Sequence, residues 1–580
     1  MEIIKLKADI AIIGAGISGL YAAWRILSQQ RDAKVLILEQ KPKTGGRLDS
    51  DTLEITDIDG VRRKVKDEEG GMRFNESMVE LYKLFKELDL SLENGKIVPF
   101  NMADPNGRFY LRDCGFTQKQ LKDSKNSIWS EIYKLNKQEV GKSPGTLVGE
   151  VLRSVLQANE NKNALAECVK KYRLKDSGEF LGTPEQWSDF RNKFTYKGAV
   201  IHSWGLWPLL TACGVSNEAI TMITKAIGFS GPIAQDINAG EQLQILGDFP
   251  NNPQFFTLNA GFESLTEKLE KNITQGQNQA SILLNTKAVS VDESDSTVTI
   301  VAENSGQETA LEISCSSLLI TLPKLALESL MESSIGFPSG NKLKEDLDRL
   351  QGMRLAKINL YYQERWWHQG EAPICHGGSF TDLPAGAVYV FDPIYPYADN
   401  RNYDEATVEE KVELLNRYGD DYNGPSALTV YCDYDNTTFW KQLQCIGAPY
   451  LGSHPIPEFA TAASTAVVDE LHKQLSLILN RTGIPAPVTS TFRLWGDDEY
   501  GFGYHQWKLK TNDAEIRESI WRVAKNIFLS NEAYSDMQGW VNGSLRSTDI
   551  MLEKGLGIKP LLSDKERPAL VAEMIAAARS

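Results

Sequence analysis

Three glycines, Gly14, Gly16 and Gly19, stand in the pattern G-x-G-x-x-G directly after a short apolar run, and Glu39 follows twenty residues after Gly19. That spacing suits a dinucleotide. The first glycine permits a tight turn, the second lets a pyrophosphate approach the backbone, and the third lets a helix pack on a strand. A helix N-terminus there offers free N–H groups and partial positive charge to phosphate. A carboxylate at position 39 accepts hydrogen bonds from adenosine ribose hydroxyls and repels the 2′-phosphate of NADP, which favours FAD or NAD. Residues 43–47 read Lys-Thr-Gly-Gly-Arg. Gly46 allows close backbone approach and Arg47 can reach a pyrophosphate as a bidentate donor, although alone this stretch reads as easily as a surface loop. No second G-x-G-x-x-G follows a strand downstream, so a flavin here takes its electrons from a small substrate rather than from a second nucleotide.

These residues need a scaffold of strand, helix and strand. Residues 8–13 (Ala-Asp-Ile-Ala-Ile-Ile) read as a buried parallel strand, Leu20, Ala23, Trp24 and Leu27 recur at helical spacing, and residues 34–38 form the next strand, ending at Glu39. The whole chain has 580 residues, enough for three or four compact units. Its net charge of −15 makes nucleic acid an unfavourable partner. No run of about 18 apolar residues is present, so no bilayer span is expected. Seven scattered cysteines without a Cys-x-x-Cys pair and six histidines without i, i+4 spacing argue against disulfides and against a Cys- or His-based metal site. The N-terminus lacks the pattern of a signal peptide, which makes a soluble cytoplasmic chain the default expectation and leaves export by another route open.

Further segments, in order, resemble the flavin amine oxidase family, and within it the L-amino-acid oxidases. Residues 70–74 (Gly-Gly-Met-Arg-Phe) are similar to its G-x-M-R segment, and Lys357-Ile358, an apolar strand and Trp366-Trp367 to its catalytic-lysine strand. Residues 376–384 resemble its H-G-G-x-x-T-D-L-P stretch. Residues 428–431 (Leu-Thr-Val-Tyr) resemble its substrate-tyrosine strand, and Glu532, Gly539, Trp540, Gly543 and Ser547 its C-terminal flavin segment. The match runs from the N-terminus to about residue 550 with a weak middle. It departs at Phe528-Leu529-Ser530-Asn531-Glu532, where the family has F-A-G-E, and at residues 533–538, which lack histidines that some members have.

The resemblance implies non-covalent FAD and oxidative deamination of an L-amino acid: hydride transfer from Cα to flavin N5, reoxidation by O2, and release of a 2-oxo acid, ammonia and H2O2. A 2-monooxygenase giving an amide and CO2, and a monoamine or polyamine oxidase, are the alternatives. Arg73 is the carboxylate clamp, because a guanidinium fork matches a carboxylate, with Tyr431 as partner donor; a structural ion pair and a core phenol are the bland readings. Lys357, in a stretch that alternates like a half-buried strand (Leu-Ala-Lys-Ile-Asn-Leu-Tyr-Tyr), would hold a water near flavin N5, or else lie solvated on an edge strand. Trp540 and Trp495 would wall the reacting amine, the Gly539 carbonyl would approach it, and Glu532 would accept from the ribityl chain. Gly71 and Met72 would flank the isoalloxazine, and the backbone of Ala288 or Val289 the adenine. His202 reads more readily as a core residue than as a substrate contact.

The expected fold class is α/β (α+β mixed). A Rossmann-like FAD-binding domain (1–73, 254–325 and 520–580) joins a mixed-sheet substrate-binding domain (74–140 and 326–519) and a helical domain (141–253) that roofs the site. Ser143-Pro144 and Thr183-Pro184 read as helix starts in the last of these, and residues 567–580 as a short surface helix. Partners would be a small L-amino acid and O2, with a homodimer as the candidate assembly.

Overall fold

The computed structural model describes residues 2–91, 96–176, 179–247, 255–275, 280–294, 297–304, 309–334, 337, 341–370, 372–390, 424–496, 501–563 and 565–579. A parallel sheet of five strands lies at its centre, in the order Ser281–Leu283, Val35–Leu38, Ile10–Ile13, Ser317–Ile320, Ile527–Leu529. Its inner strands are runs of branched residues because both of their faces are covered. Helix Ile17–Gln29 buries Leu20, Ala23, Ile26 and Leu27 beside helices Glu263–Thr274 and Val541–Leu556.

The strand expected over residues 8–13 forms at Ile10–Ile13, and a separate strand precedes it. Glu2–Lys7 pairs in parallel with Thr309–Cys315 in a four-stranded sheet that also holds Thr297–Asn304 and Thr286–Ser294. At Ala8 and Asp9 the chain passes into the parallel sheet, where the Asp9 carboxylate accepts the Lys34 N–H at 2.8 Å.

A mixed seven-stranded sheet runs Thr489–Trp495, Leu355–Tyr362, Ser426–Asp433, Ala387–Val390, Gly378–Thr381, Arg108–Leu111, Cys114–Thr117. Leu355–Tyr362 is neither half-buried nor at an edge, and all eight of its residues are buried between two neighbours. On one face, Tyr361 packs with Leu53, Ile55 and Val65 of the hairpin Ser50–Thr56 and Arg62–Glu68. On the other, helices Tyr434–Ile446 and Thr465–Leu479 contribute Trp440, Val467 and Leu471 to the core around Ile358.

A helical region packs at the end of the seven-stranded sheet that holds Arg108–Leu111 and Cys114–Thr117. Ser143 caps Pro144–Leu156, and Thr183 with Gln186 forms a capping box on Pro184–Lys193, as their sequences suggest. Helix Pro184–Lys193 is tied down by Arg191, fully buried, which pairs with Asp513 at 2.9 Å and Glu241 at 2.9 Å. Helix Arg567–Arg579 is less of a surface element than expected: Leu570 and Met574 are buried, and Arg567 pairs with Glu80 at 2.6 Å. Among the described residues no helix is long and apolar enough to cross a membrane.

The tightest approach in the parallel sheet is at Gly19, where a Cβ would stand 2.0 Å from the Gly14 carbonyl oxygen. Gly19→Ala must therefore push the helix off the strand. Its urea unfolding midpoint should fall, with a loss of about 1–3 kcal/mol, and an unchanged midpoint would contradict this packing.

Candidate active site

Four neighbouring parallel strands end at one cleft. Ile10–Ile13 delivers Gly14 and Gly16, Val35–Leu38 delivers Glu39, Ser317–Ile320 delivers Thr321, and Ile527–Leu529 delivers Asn531 and Glu532. Ligands of open parallel sheets bind outside these carboxyl ends. Helix Ile17–Gln29 opens on the cleft with Gly16 as N-cap, no side-chain cap and no acid in its first turn. Its leading N–H groups suit a phosphate. Glu39 is buried at the rim, where its carboxylate accepts the N–H of Ala15 at 2.8 Å and of Lys41 at 2.9 Å, and burial raises its pKa. Gly46, at φ +65°, lies against Gly16: a Cβ on it would come 3.1 Å from the Gly16 Cα. These features fit a dinucleotide.

Arg47 crosses the cleft floor. Its Nη1 donates to Glu532 Oε1 at 2.6 Å and to the Gly503 carbonyl at 3.1 Å, and its Nη2 to Asn531 Oδ1 at 2.9 Å, leaving two of its five N–H groups. Glu532 in turn accepts from His505 Nδ1 at 2.7 Å and from the Gly539 N–H at 3.0 Å. Burial would raise this carboxyl, but Arg47 and His505 outweigh it and hold the pKa at about 2. Gly539 takes φ +84° to turn the chain here, and Trp540 stacks on Phe255 with centroids 6.5 Å apart.

A second constellation adjoins the cleft through Gly71 and Trp540. Arg73 is buried, its guanidinium 5.1 Å from the ring centroid of Tyr389, 5.4 Å from Phe255 and 5.5 Å from Phe100. Met72 packs in the same cluster, with Tyr431 and Trp540 against it. Tyr431 meets Phe229 edge-on at 4.9 Å and faces Lys357 directly across the ladder, the Lys357 ammonium lying 5.1 Å from its ring. Lys357 is inward and buried, donating to the carbonyls of Glu68, at 2.8 Å, and Gly70. Burial lowers its pKa to about 8 against the pull of Glu68, Glu69 and Asp67. Trp495 donates its indole N–H to the Glu69 carbonyl at 2.8 Å and carries the Arg493 guanidinium 4.1 Å above its ring.

Of the residues singled out from sequence, Gly14, Gly16, Glu39, Gly46, Arg47, Gly71, Trp495, Glu532, Gly539 and Trp540 line the cleft. Gly19 stands behind it, and Arg73, Lys357, Tyr431 and Met72 form the adjoining group. Ala288 and Val289 lie on Thr286–Ser294 at a bulge and are not among the cleft-lining residues, and neither is His202. His505, Thr321 and Asn531 were not foreseen. For Asn531 a signal existed: it sits in the segment that departs from F-A-G-E, and its amide bridges Arg47 and the Thr321 carbonyl at 3.1 Å. His505 lies on a two-stranded ladder with Leu350–Met353, and nothing in its local pattern marks it.

The model of the family described as flavin containing amine oxidoreductase matches residues 17–548. Aplysianin-A of Aplysia kurodai is 22% identical over 95% of this chain and 91% of its own length. An L-amino acid oxidase of Bothrops pictus is 22% identical over 93% of this chain and 88% of its own. The solved structure of wild-type putrescine oxidase bound to putrescine superposes with a TM-score of 0.59 at 14% identity, covering 96% of this chain and all of that one.

Because the pKa of folded Glu532 lies below its unfolded value of 4.5, its contribution to stability is complete above about pH 4.5 and is lost as pH falls towards about 2. That contribution is on the order of 3 kcal/mol. Glu532→Gln should flatten this acid limb of unfolding free energy against pH, and a limb of unchanged slope would refute the assignment.

Proposed function

This chain belongs to the flavin containing amine oxidoreductase family, an FAD-dependent oxidoreductase acting on a small molecule with O2, and from that premise we propose that its substrate is an L-amino acid. The observation that carries the reading is Arg73, a guanidinium walled by three aromatic rings beside Trp540. A fork of N–H donors in an apolar surround binds a carboxylate strongly, since water competes little there. It repels the ammonium of a simple amine, which has no carboxylate to offer in exchange. L-amino acid oxidase is also the name of a relative covered over most of its length.

Arg73 and the Tyr431 hydroxyl anchor the carboxylate, which sets the direction in which the Cα–H bond points. Trp540 and Trp495 exclude water from the amine, and the Gly539 carbonyl holds it oriented. When bound, FAD supplies the acceptor for the hydride and the route of its two electrons to O2. Arg47 and Glu532 position that group, with the uncapped helix N-terminus and Glu39 at its other end. Lys357 places a positive charge beside the site, where it favours the anions formed as oxygen is reduced. In sum, amino acid, O2 and water give 2-oxo acid, ammonia and H2O2.

A panel of L-amino acids, D-amino acids and amines, followed for peroxide and CO2 together, tests the reading. Peroxide without CO2 from L forms alone is expected, whereas CO2 with an amide product, or activity confined to amines, would overturn it. In Arg73→Ala the amino-acid KM should rise on the order of a hundredfold, the loss of about 3 kcal/mol expected for a buried charged hydrogen bond, with FAD retained. Lys357 is an ammonium below its pKa of about 8 and an amine above it. The half-reaction with oxygen should therefore slow as pH rises through about 8 and lose this inflection in Lys357→Met. An inflection that persists in the variant assigns it to another group.

A further inference from the structure

The hairpin Ser50–Thr56 and Arg62–Glu68 turns Asp51, Leu53, Ile55, Val65 and Asp67 inwards, all of them buried. Strand alternation calls for apolar residues at every such position. Asp51 and Asp67 nevertheless face each other directly across the ladder, where like charges repel. Glu69 joins them on the same side, and one carboxylate oxygen of each residue lies within 4.8 Å of the others. Their exposures are 7%, 0% and 5%.

The seven-stranded sheet satisfies only part of this group. The Tyr361 hydroxyl donates to Asp67 Oδ2 at 2.6 Å, while Thr491 Oγ1 at 2.5 Å and Asn359 Nδ2 at 3.0 Å donate to Glu69 Oε1. Asp51 Oδ2, Asp67 Oδ1 and Glu69 Oε2 are buried and accept no hydrogen bond among the described residues. A buried carboxylate oxygen without a partner is costly, and each of these three clustered residues carries one. Burial pushes all three carboxyls up, Asp51 to about 8, helped by the Glu69 charge at Asp51 and Asp67 and by the Asp49 charge at Glu69. Lys43 draws Asp51 down and Arg493 and Lys357 draw Glu69 down, but burial outweighs these charges.

We propose that Asp51, Asp67 and Glu69 form a buried site for a hard divalent cation of the Ca2+, Mg2+ or Mn2+ class. Carboxylate oxygens select such ions. Ligands on opposite sides of Ca2+, at about 2.3–2.6 Å each, stand roughly 4.8 Å apart, which the cluster accommodates. The ion cancels two of three negative charges. It also braces a working stretch of backbone, because the Glu68 and Gly70 carbonyls hold Lys357 and the Glu69 carbonyl holds Trp495.

The test uses FAD-loaded protein dialysed against metal-free buffer, with metal content by mass spectrometry and thermal unfolding in EDTA or in millimolar Ca2+, Mg2+ or Mn2+. A stoichiometric ion, or a rise in Tm on adding one of the three that EDTA reverses, is expected. Asp67→Asn should abolish this response. If that variant does not fold, Tyr361→Phe decides, since it removes the donor that orients Asp67 and should weaken ion binding about 10–100-fold. Metal-free protein whose Tm ignores all three ions would overturn the proposal and leave protons as the neutralising charge, and unchanged affinity in Tyr361→Phe would place the ion elsewhere.

Discussion

Setting Lys357 on an inner strand of a seven-stranded sheet takes its ammonium out of water, where it would give up its proton unless oxygens came to meet it. The turn after the hairpin meets it with the carbonyls of Glu68 and Gly70, and acids at 67, 68 and 69 hold the local potential negative. Much else follows from that turn. The Glu69 carbonyl receives the Trp495 indole, Gly71 lines the cleft, and Arg73 enters its aromatic surround. One strand-to-turn contact therefore links the seven-stranded sheet to both halves of the site.

The cleft itself has a simpler origin. Parallel strands all end on one side, so residues distant in sequence such as Gly14, Thr321 and Asn531 emerge side by side without any long loop. Glycine permits the backbones to close up there, as Gly16 and Gly46 show. The Arg47–Glu532–His505 group, buried at Glu532 and His505 and part-exposed at Arg47, then fixes the floor. A carboxylate as enclosed as Glu532 needs a full counter-charge, and Arg47 supplies it while the Gly539 N–H occupies its other oxygen.

Local patterns reach a definite depth here. Glycine spacing, branched apolar runs and the caps at Ser143 and Thr183 each depend on neighbours within a few residues, and the elements they announce form where they were expected. The strand of Lys357 was misjudged as half-buried because alternation reports a residue's own periodicity and not what later covers it. In this case the cover is the hairpin on one side and two helices more than 70 residues downstream on the other. The strand Glu2–Lys7 has no such forecast for a similar reason, since its partners lie near residue 310.

The dinucleotide turn, the α/β class and the residue types able to grip a carboxylate or a phosphate are written in short segments, because each rests on backbone geometry and side-chain chemistry carried by those segments. The pairing of His505 with Glu532 and the convergence of Asp51, Asp67 and Glu69 have no such local mark, and the departure at Asn531 does not disclose which groups it bridges. They join positions up to hundreds of residues apart, and their energies come from burial and charge proximity, which exist once the sheets have packed.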